Sequence, residues 1–438
     1  MKKYSESKDV YEAANERIEF IFREFKRIYL SFSGGKDSGV MLNLCIDYMR
    51  RNKITDRKLG IMILDNEANY EHSLTFMHKI IQENLDILDV YWCCLPITLP
   101  CTVSAYATEW QCWGVKDEKR WIRPMPKQSY IVNIHNMPFG HWFEENMSYD
   151  EFWDKFGEWY GQGELCACLI GIRADESLNR YRAILNEAKT MYQGRSWTKK
   201  KIEKPESKVF NCYPIYDWKT QDIWVANAKM GWEYNRLYDI FYMAGLSIAQ
   251  MRVASPFMSE SKSSLNLYRV IDPHVWVTLC ARVQGANFIA TYGKQINYHS
   301  FKLPAGHTWK SFVKFLLNTL PKEVAENFKM RFVQSLRFWG RTGRGLPEET
   351  IAELRKHGVE FRENGATPHG RKTKTRVRIQ SFPDHLDMLS CHNSEVASWK
   401  RFAITILKND HTCKYMGLAP TKEQALRQRE IMEKYKDI

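Results

Sequence analysis

The sequence lacks any apolar run close to the roughly 18 residues that a membrane-spanning helix needs. Its first twenty residues begin with a basic pair but contain no apolar segment of the kind that secretion signals carry. Eleven cysteines are scattered through 438 residues, and their odd number fits buried thiols in a reducing compartment better than a disulfide framework. We therefore expect a cytoplasmic protein with no membrane partner.

Acidic residues are fewer than basic residues in this sequence. Lys and Arg number 64 against 51 Asp and Glu, for a net charge of +13. The excess is concentrated in residues 321–380, which carry 14 basic and 7 acidic side chains, and "RKTKTRVR" at 371–378 places five basic residues in eight positions. Such a balance favours a polyanionic partner, which could be DNA or RNA, a nucleotide or an acidic protein. The alternative is a basic protein without such a partner. The alternative for 371–378 is a solvated strand or loop.

Short apolar runs alternate with helical patterns in the first half of the chain. Val10, Ala14 and Ile18 recur at helical spacing, and a β-branched and aromatic run follows at 27–32. Further strands are predicted at 58–65, 87–94, 165–173 and 209–218, and further helices at 38–48, 71–84, 175–187, 219–230 and 235–243. This alternation predicts an α/β fold with a parallel sheet flanked by helices.

The alternation breaks between residues 95 and 164. Six tryptophans lie between Trp110 and Trp159, and prolines stand at 124, 126 and 138. We interpret this stretch as an insertion with its own aromatic packing, which is either an irregular subdomain or one wall of a binding site. After residue 260 the residue pattern changes again. We predict a mostly helical, basic extension there that ends in a charged helix at 421–438.

The first predicted strand runs into "SGGKDS" at 33–38, and a helix follows. Glycines let the backbone approach a ligand closely, while successive N–H groups and a helix N-terminus attract phosphate oxygens. Lys36 adds a full charge, and the two serines add hydroxyl donors. Asp37 stands where it can cap the helix or approach a phosphate-bound Mg²⁺. The loop is neither a Walker A motif nor Gly-x-Gly-x-x-Gly, since both spacings are absent.

The "SGGKDS" loop resembles the signature of the PP-loop superfamily, the ATP pyrophosphatases. "GIRADESLNR" at 171–180 and "YPIYDWKTQDIW" at 213–224 resemble two later signatures of its phosphoadenylyl-sulfate (PAPS) reductase-like branch. "RVQGANF" and "SWKRFAITILKNDHTCKYMG" resemble the extension of the IbrA-like group, whose members often pair with a ParB/sulfiredoxin-like protein. The resemblance implies a PP-loop nucleotide-binding domain at 1–260, an insertion at about 95–164 and an extension at 261–438.

The resemblance also implies a site for ATP, or for PAPS, at the C-terminal ends of the strands. Lys36, Asp37 and Arg173 are the implied catalytic residues, and Asp37 and Asp65 the implied Mg²⁺ ligands. The implied nucleotide-binding residues are Ser31, Ser33, Gly34, Gly35, Lys36, Asp37, Ser38, Asp65, Gly171, Arg173, Glu176 and Arg180. A salt-bridge network that caps a helix is the alternative for the charged residues of 173–180.

The chain departs from the PAPS reductases in its cysteines. It lacks their C-terminal Glu-Cys-Gly-Leu-His segment, and Cys391 and Cys413 are the nearest candidates. Basic neighbours would lower the thiol pKa of Cys413. The iron–sulfur form of the family needs a Cys-x-x-Cys, which is missing, so we expect no cluster. A redox or zinc role stays open for Cys93, Cys94, Cys166 and Cys168, although their spacing is not that of a standard zinc finger.

A phosphate loop without a convincing protein nucleophile favours ATP chemistry. An acceptor would attack the α-phosphorus, pyrophosphate would leave, and an adenylated nucleic acid or protein would remain. Lys36 and Arg173 would stabilise the developing charge. Two alternatives stay open. One is a PAPS reductase with a non-standard cysteine, and the other is a non-catalytic nucleotide sensor that acts with a ParB/sulfiredoxin-like partner.

Overall fold

The computed structural model describes residues 8–248, 250–258, 261, 264–292, 301–369, 372–388 and 396–418. The helices are α1 (Val10–Glu24), α2 (Lys36–Arg51), α3 (Glu71–Gln82), α4 (Tyr149–Gly161), α5 (Leu178–Leu185), α6 (Thr220–Met230), α7 (Leu237–Met243), α8 (Tyr268–Ile271), α9 (Pro273–Arg282), α10 (Ala286–Tyr292), α11 (Trp309–Thr319), α12 (Lys322–Arg337), α13 (Glu348–Lys356) and α14 (Trp399–Leu407). The strands are β1 (Arg27–Ser31), β2 (Leu59–Leu64), β3 (Leu88–Cys93), β4 (Thr98–Pro100), β5 (Glu109–Gln111), β6 (Ile131–Val132), β7 (Cys166–Ile170), β8 (Thr198–Lys200), β9 (Val209–Cys212), β10 (Arg344–Leu346), β11 (Phe361–His369) and β12 (Lys372–Ile379).

Seven strands form one sheet in the order β6-β3-β2-β1-β7-β9-β8. Neighbouring strands pair in parallel, except that β8 runs antiparallel to β9. The chain first builds to one side of β1 through β2 and β3, and later to the other side through β7 and β9. The strand order therefore reverses at β1, which places a crevice at the carboxyl ends of β1 and β7. The predicted parallel α/β sheet is confirmed.

Local signals explain where the first elements begin and end. The Asp9 carboxylate accepts a hydrogen bond from the Glu12 N–H, and the Glu12 carboxylate accepts one from the Asp9 N–H, so α1 starts with a capping box. The three central residues of β1 are buried, as its apolar run predicts. Helix α2 begins at Lys36, two residues before the predicted start, because Gly35 already serves as its N-cap.

The chain divides into two compact units. The first contains residues up to 99 and 109–282, and the second contains 100–108 and 283 onward. The first unit continues beyond the predicted boundary at 260 because α8 and α9 pack within it. Tyr268 stacks on Tyr70 with ring centroids 3.7 Å apart, and Arg282 forms an ion pair with Glu67 at 3.2 Å.

The Trp-rich insertion contributes directly to the main sheet. Its strand β6 pairs with β3, and its helix α4 packs on the sheet through aromatic contacts. The rings of Phe156 and Tyr160 meet Tyr29 of β1 at 5.3 and 5.2 Å. The predicted aromatic packing is therefore present, and it includes residues of the sheet as well as of the insertion.

The second unit combines helices with a three-stranded antiparallel sheet in the order β10-β12-β11. Phe332 of α12 and Phe402 of α14 stack at 4.1 Å in one of its cores. A second core contains Leu346, Ile351 and Val377. Residues 372–378 of the basic "RKTKTRVR" segment lie in β12, whereas the predicted charged helix at 421–438 lies outside the described residues.

Candidate nucleotide site

A cavity of about 300 Å³ lies at the carboxyl ends of β1 and β7. The predicted site residues in its wall are Ser31, Ser33, Gly35, Lys36, Asp37, Ser38, Gly171, Glu176 and Arg180. The other wall residues are Tyr149, Asp150, Trp153, Ile170, Ile172, Tyr238, Arg252, Val253 and Ala254. The structure thus brings together two segments that are about 140 residues apart in the sequence, because their strands are neighbours in a parallel sheet.

The glycine-rich loop is closed by its own serines. The hydroxyls of Ser33 and Ser38 lie 3.0 Å apart, and the Ser38 hydroxyl donates to the Gly35 carbonyl at 3.1 Å. Gly34 has a positive φ of 67°, which only glycine adopts without strain. Gly35 has no side chain that could accept from the first turn of α2. The N-terminus of α2 lies in the wall of the cavity, so its partial positive charge is available to a bound anion.

Asp37 is held between two cations. Its Oδ2 accepts from Lys36 Nζ at 2.9 Å, and its Oδ1 accepts from Arg173 Nε at 2.5 Å. Burial alone would raise the pKa of Asp37, but the charges of Lys36 and Arg173 outweigh it and hold that pKa below its usual range. Burial also lowers the pKa of Lys36, although Asp37 opposes the shift. Asp37 caps no helix, since Gly35 holds the N-cap position.

Arg173 stands behind the wall of the cavity and is only 1% exposed. In the described residues its Nη1 has no hydrogen-bond acceptor, and the Asp175 carboxylate is 3.9 Å away. Arg173 therefore contacts the cavity through Asp37. The predicted salt-bridge network of 173–180 is also present in part, because Arg180 forms an ion pair with Glu176.

Gly171 has a packing role at the site. A Cβ built there would lie 2.9 Å from both the Asp37 carbonyl oxygen and the Ser38 Cα. Both contacts are backbone atoms, which cannot rotate away. Only glycine lets the end of β7 approach the start of α2 this closely, so Gly171 sets the depth of the cavity.

Three cationic side chains line the cavity, namely Lys36, Arg180 and Arg252. Arg252 also donates to the Glu176 carbonyl oxygen at 3.3 Å, which fixes its position next to Arg180. Tyr149 and Trp153, from the N-terminal turns of α4, also line the cavity. The wall thus combines a cationic, N–H-rich part with an aromatic part, which is the chemistry that a nucleotide requires.

Helix α7 and the residues before it support the loop from the side. The Asn235 amide donates to the Gly34 carbonyl oxygen and to the Ser73 hydroxyl, both at 2.9 Å. The Tyr238 hydroxyl accepts from the Lys36 N–H at 3.0 Å. The sequence does not predict Tyr238, Arg252 or Tyr149 as site residues, because no residue pattern near them signals a ligand. Only the order of strands in the sheet brings their segments to this edge.

Asp65 is not in the wall of the cavity. Its Oδ2 accepts from Trp92 Nε1 at 2.6 Å and forms an ion pair with Arg123, while its Oδ1 accepts from the Glu67 N–H at 2.8 Å. The side chain is fully buried. These contacts join the end of β2 to the insertion and leave no carboxylate oxygen facing the cavity. The Mg²⁺ role of Asp65 stays a prediction that this arrangement does not support.

The described cysteines are buried, except for the partly exposed Cys280. Cys93, Cys94, Cys166 and Cys168 are buried, and burial raises the pKa of the first three. Burial raises the pKa of Cys413 to about 12, so the lowered pKa expected for that thiol is wrong. Among the described residues no group of three or more His, Cys, Asp or Glu is placed to hold a metal ion. Cys391 lies outside the described residues.

No helix in the described ranges is both long and apolar enough to cross a membrane.

A model of the phosphoadenosine phosphosulfate reductase domain matches residues 123–244, and a domain of unknown function (DUF3440) matches residues 245–427. The uncharacterized protein YbdN of Escherichia coli (strain K12) is 30% identical over 422 residues, which cover 95% of this chain and 92% of that protein.

Two solved structures show a more distant similarity. The phosphoadenylyl-sulfate (PAPS) reductase from Candida auris, in a phosphate complex, is 11% identical with a TM-score of 0.27 and covers 55% of this chain and 87% of that chain. The FMN adenylyltransferase of Candida glabrata is 13% identical with a TM-score of 0.30 and covers 52% of this chain and 57% of that chain. The match to YbdN and the domain matches place the chain in a family: it belongs to the PAPS reductase-like branch of the PP-loop proteins and carries a C-terminal DUF3440 domain.

Proposed function

We propose that this member of the PAPS reductase-like PP-loop family binds ATP in the cavity at β1 and β7 and transfers its adenylyl group to an acceptor. The observation that carries the proposal is the meeting of the α2 N-terminus with Lys36, Arg180 and Arg252 around one cavity. A triphosphate carries about four negative charges, and this arrangement offers it backbone donors, a helix dipole and three cations. Two of the cations, Lys36 and Arg180, also pair with carboxylates in the cavity wall.

The reaction would need no protein nucleophile. An oxygen or nitrogen of the acceptor attacks the α-phosphorus, the bond from that phosphorus to the α–β bridging oxygen breaks, and pyrophosphate leaves with the electron pair. Lys36 and the α2 N–H groups would hold the leaving pyrophosphate, and Arg180 and Arg252 would neutralise it. Positioning and charge neutralisation supply the rate in such a transfer. Arg173 would act through Asp37, whose orientation it fixes.

Mg²⁺ would enter with the phosphates of ATP, as it commonly does in nucleotide sites. In this structure the predicted Mg²⁺ ligands, Asp37 and Asp65, have no carboxylate oxygen free to bind the ion. Lys36 and Arg173 occupy both oxygens of Asp37, and Asp65 is paired with Arg123 and Trp92. The proposal therefore assigns no catalytic step to a protein-bound metal.

A reductase function finds less support in the described residues. It needs a reactive thiolate, whereas burial raises the pKa of Cys413 and also that of the half-buried Cys280. The acceptor class is a further proposal. The basic segment 372–378 favours DNA or RNA, and the family resemblance favours a ParB/sulfiredoxin-like protein. Cytoplasmic localisation fits both acceptors.

Product analysis tests the proposal. The purified protein is incubated with ATP, Mg²⁺ and, in parallel, single-stranded DNA, RNA or a bacterial protein extract, and the nucleotides are separated. AMP or an adenylated acceptor together with pyrophosphate is expected, and Lys36→Ala should abolish them. Lys26→Ala is the matched control, because Lys26 is an exposed lysine that pairs with Glu164. ADP and phosphate as the products, or equal turnover by Lys36→Ala, would contradict the proposal.

A further inference from the structure

Tyr238 touches the glycine-rich loop although it lies 202 residues after Lys36. Its ring is buried, packs edge-on against Trp224 at 5.5 Å and lies below Lys36 Nζ at 5.6 Å. Its hydroxyl oxygen accepts the Lys36 N–H, which is the first N–H of α2. The side chain also belongs to the wall of the cavity.

The hydrogen-bonding capacity of this hydroxyl is only partly used. A phenol oxygen accepts hydrogen bonds and also donates its own proton. In the described part of the chain no group accepts from the Tyr238 hydroxyl, whereas the Lys36 N–H donates to it. Burial raises the pKa of Tyr238, so the phenol keeps its proton at neutral pH. A donor proton is therefore available at the cavity wall.

Two further contacts fix the position of the hydroxyl. A Cβ built on Gly35 would lie 3.5 Å from the Tyr238 oxygen, so the hydroxyl sits directly against the loop. Asn235, which is fully buried, accepts the Leu237 N–H at 3.0 Å and donates to the Gly34 carbonyl oxygen. The start of α7 is thereby tied to the loop on both sides of Gly35.

We infer that Tyr238 is a phosphate-binding residue that completes the loop from α7. Its hydroxyl donates a hydrogen bond to a phosphate oxygen of the bound nucleotide, while the Lys36 N–H polarises that hydroxyl from behind. The inference rests on the proposed nucleotide site but does not require turnover. Because hydrogen bonds in such a chain strengthen one another, the hydroxyl extends the donor set of the helix N-terminus farther into the cavity.

Tyr238→Phe tests this role, and the chain offers a matched control in Tyr234→Phe. Both rings pack edge-on against Trp224, at 5.5 and 5.4 Å, but the Tyr234 hydroxyl donates to Asp239 at 2.9 Å rather than reaching the loop. Affinities for ATP, tripolyphosphate and adenosine are measured by calorimetry on both full-length variants and on the wild type. Thermal unfolding of each variant shows whether it keeps its fold.

Tyr238→Phe should lower the affinities for ATP and tripolyphosphate by about tenfold to a hundredfold, as expected for one lost hydrogen bond to a charged group. The affinity for adenosine should stay unchanged. Tyr234→Phe should match the wild type. Equal tripolyphosphate affinity in Tyr238→Phe and wild type would overturn the inference while leaving adenylyl transfer intact. Tyr238→Phe could lower only the affinities for ATP and tripolyphosphate while the wild type binds ATP but never cleaves it. That result would support the inference and overturn the proposed reaction. Equal weakening of all three ligands would also overturn it.

Discussion

Arg173 donates from its Nε to the Oδ1 of Asp37 at 2.5 Å and lies behind the cavity wall. The arginine of the family signature is thus a partner of the loop aspartate in this structure. Lys36 occupies the other carboxylate oxygen, so one acidic side chain sets the position of two cations. The "SGGKDS" loop and the "GIRADES" segment are thus joined by a buried ion pair between Asp37 and Arg173.

Replacing Arg173 tests its positioning role. Arg173→Met leaves Asp37 with Lys36 alone, and breaking a buried pair costs about 3–5 kcal/mol. We expect a loss of that size in the free energy of unfolding, measured by urea titration. Arg182→Met is the control, because Arg182 is an exposed arginine on α5 and should cost less than about 0.5 kcal/mol. Equal losses for the two variants would contradict the assignment.

The Asp37 pair also predicts a pH dependence. The folded-state pKa of Asp37 lies below that of an unfolded aspartate, about 3.9, since the cations outweigh burial. Its stabilisation is therefore complete above the unfolded pKa and is lost as the pH falls through the folded pKa. The free-energy difference between wild type and Asp37→Asn should stay constant from pH 7 to about 5 and shrink below about pH 4. Urea titrations at several pH values measure it, and a difference that persists unchanged at pH 3 would refute the assignment.

Gly171 predicts a steric effect on the cavity. In Gly171→Ala the new methyl group meets backbone atoms of Asp37 and Ser38 at 2.9 Å, so α2 must shift. We expect a loss of about 1–3 kcal/mol in stability and weaker ATP binding. Gly39→Ala is the control on the same helix, since its nearest neighbour is a Phe76 ring atom at 3.4 Å. That variant should be neutral or stabilised by about 0.5–1 kcal/mol. Comparable effects of the two substitutions on ATP affinity would contradict this account.

Replacing Asp65 tests whether its carboxylate is structural or binds a metal ion. Asp65→Asn leaves the Arg123 charge without its buried partner, so we expect a loss of about 3–5 kcal/mol. Asp86→Asn, which breaks an exposed pair with Arg50, should cost far less stability. Without nucleotide, Mg²⁺ should shift the unfolding temperatures of wild type and Asp65→Asn equally. A Mg²⁺ stabilisation that only the wild type shows would instead support the predicted metal role.

Much of the first unit was predictable because its signals are local. The apolar run of β1 and the glycines after it gave the strand, the turn and the helix start within two residues. The phosphate role that we propose for Lys36 rests on its place in the loop. The partners of Asp65 and Asp37 could not be predicted, because Arg123 and Arg173 reach them only through the strand order of the sheet.

Tertiary packing also could not be predicted for the C-terminal extension and for Cys413. The basic neighbours of Cys413 in the sequence suggested a lowered pKa, but the fold buries the thiol among the side chains of α11, α12 and α14. Charge can be counted along a sequence, whereas desolvation depends on tertiary packing. The boundary at 260 stays a prediction. Tyr268 and Arg282 follow it and contact Tyr70 and Glu67 of the first unit, and nothing in the sequence around them indicates these partners.

Hydrogen exchange with and without MgATP tests the central claim most directly. The account predicts slower exchange in peptides that cover residues 33–39, 170–181, 235–248 and 250–254, because residues of these segments line the cavity. The same protection should be absent in Lys36→Ala and retained in Lys26→Ala. Protection confined to other segments would show that the nucleotide does not bind through this loop. Full protection in Lys36→Ala would contradict the phosphate role that we propose for the Lys36 side chain.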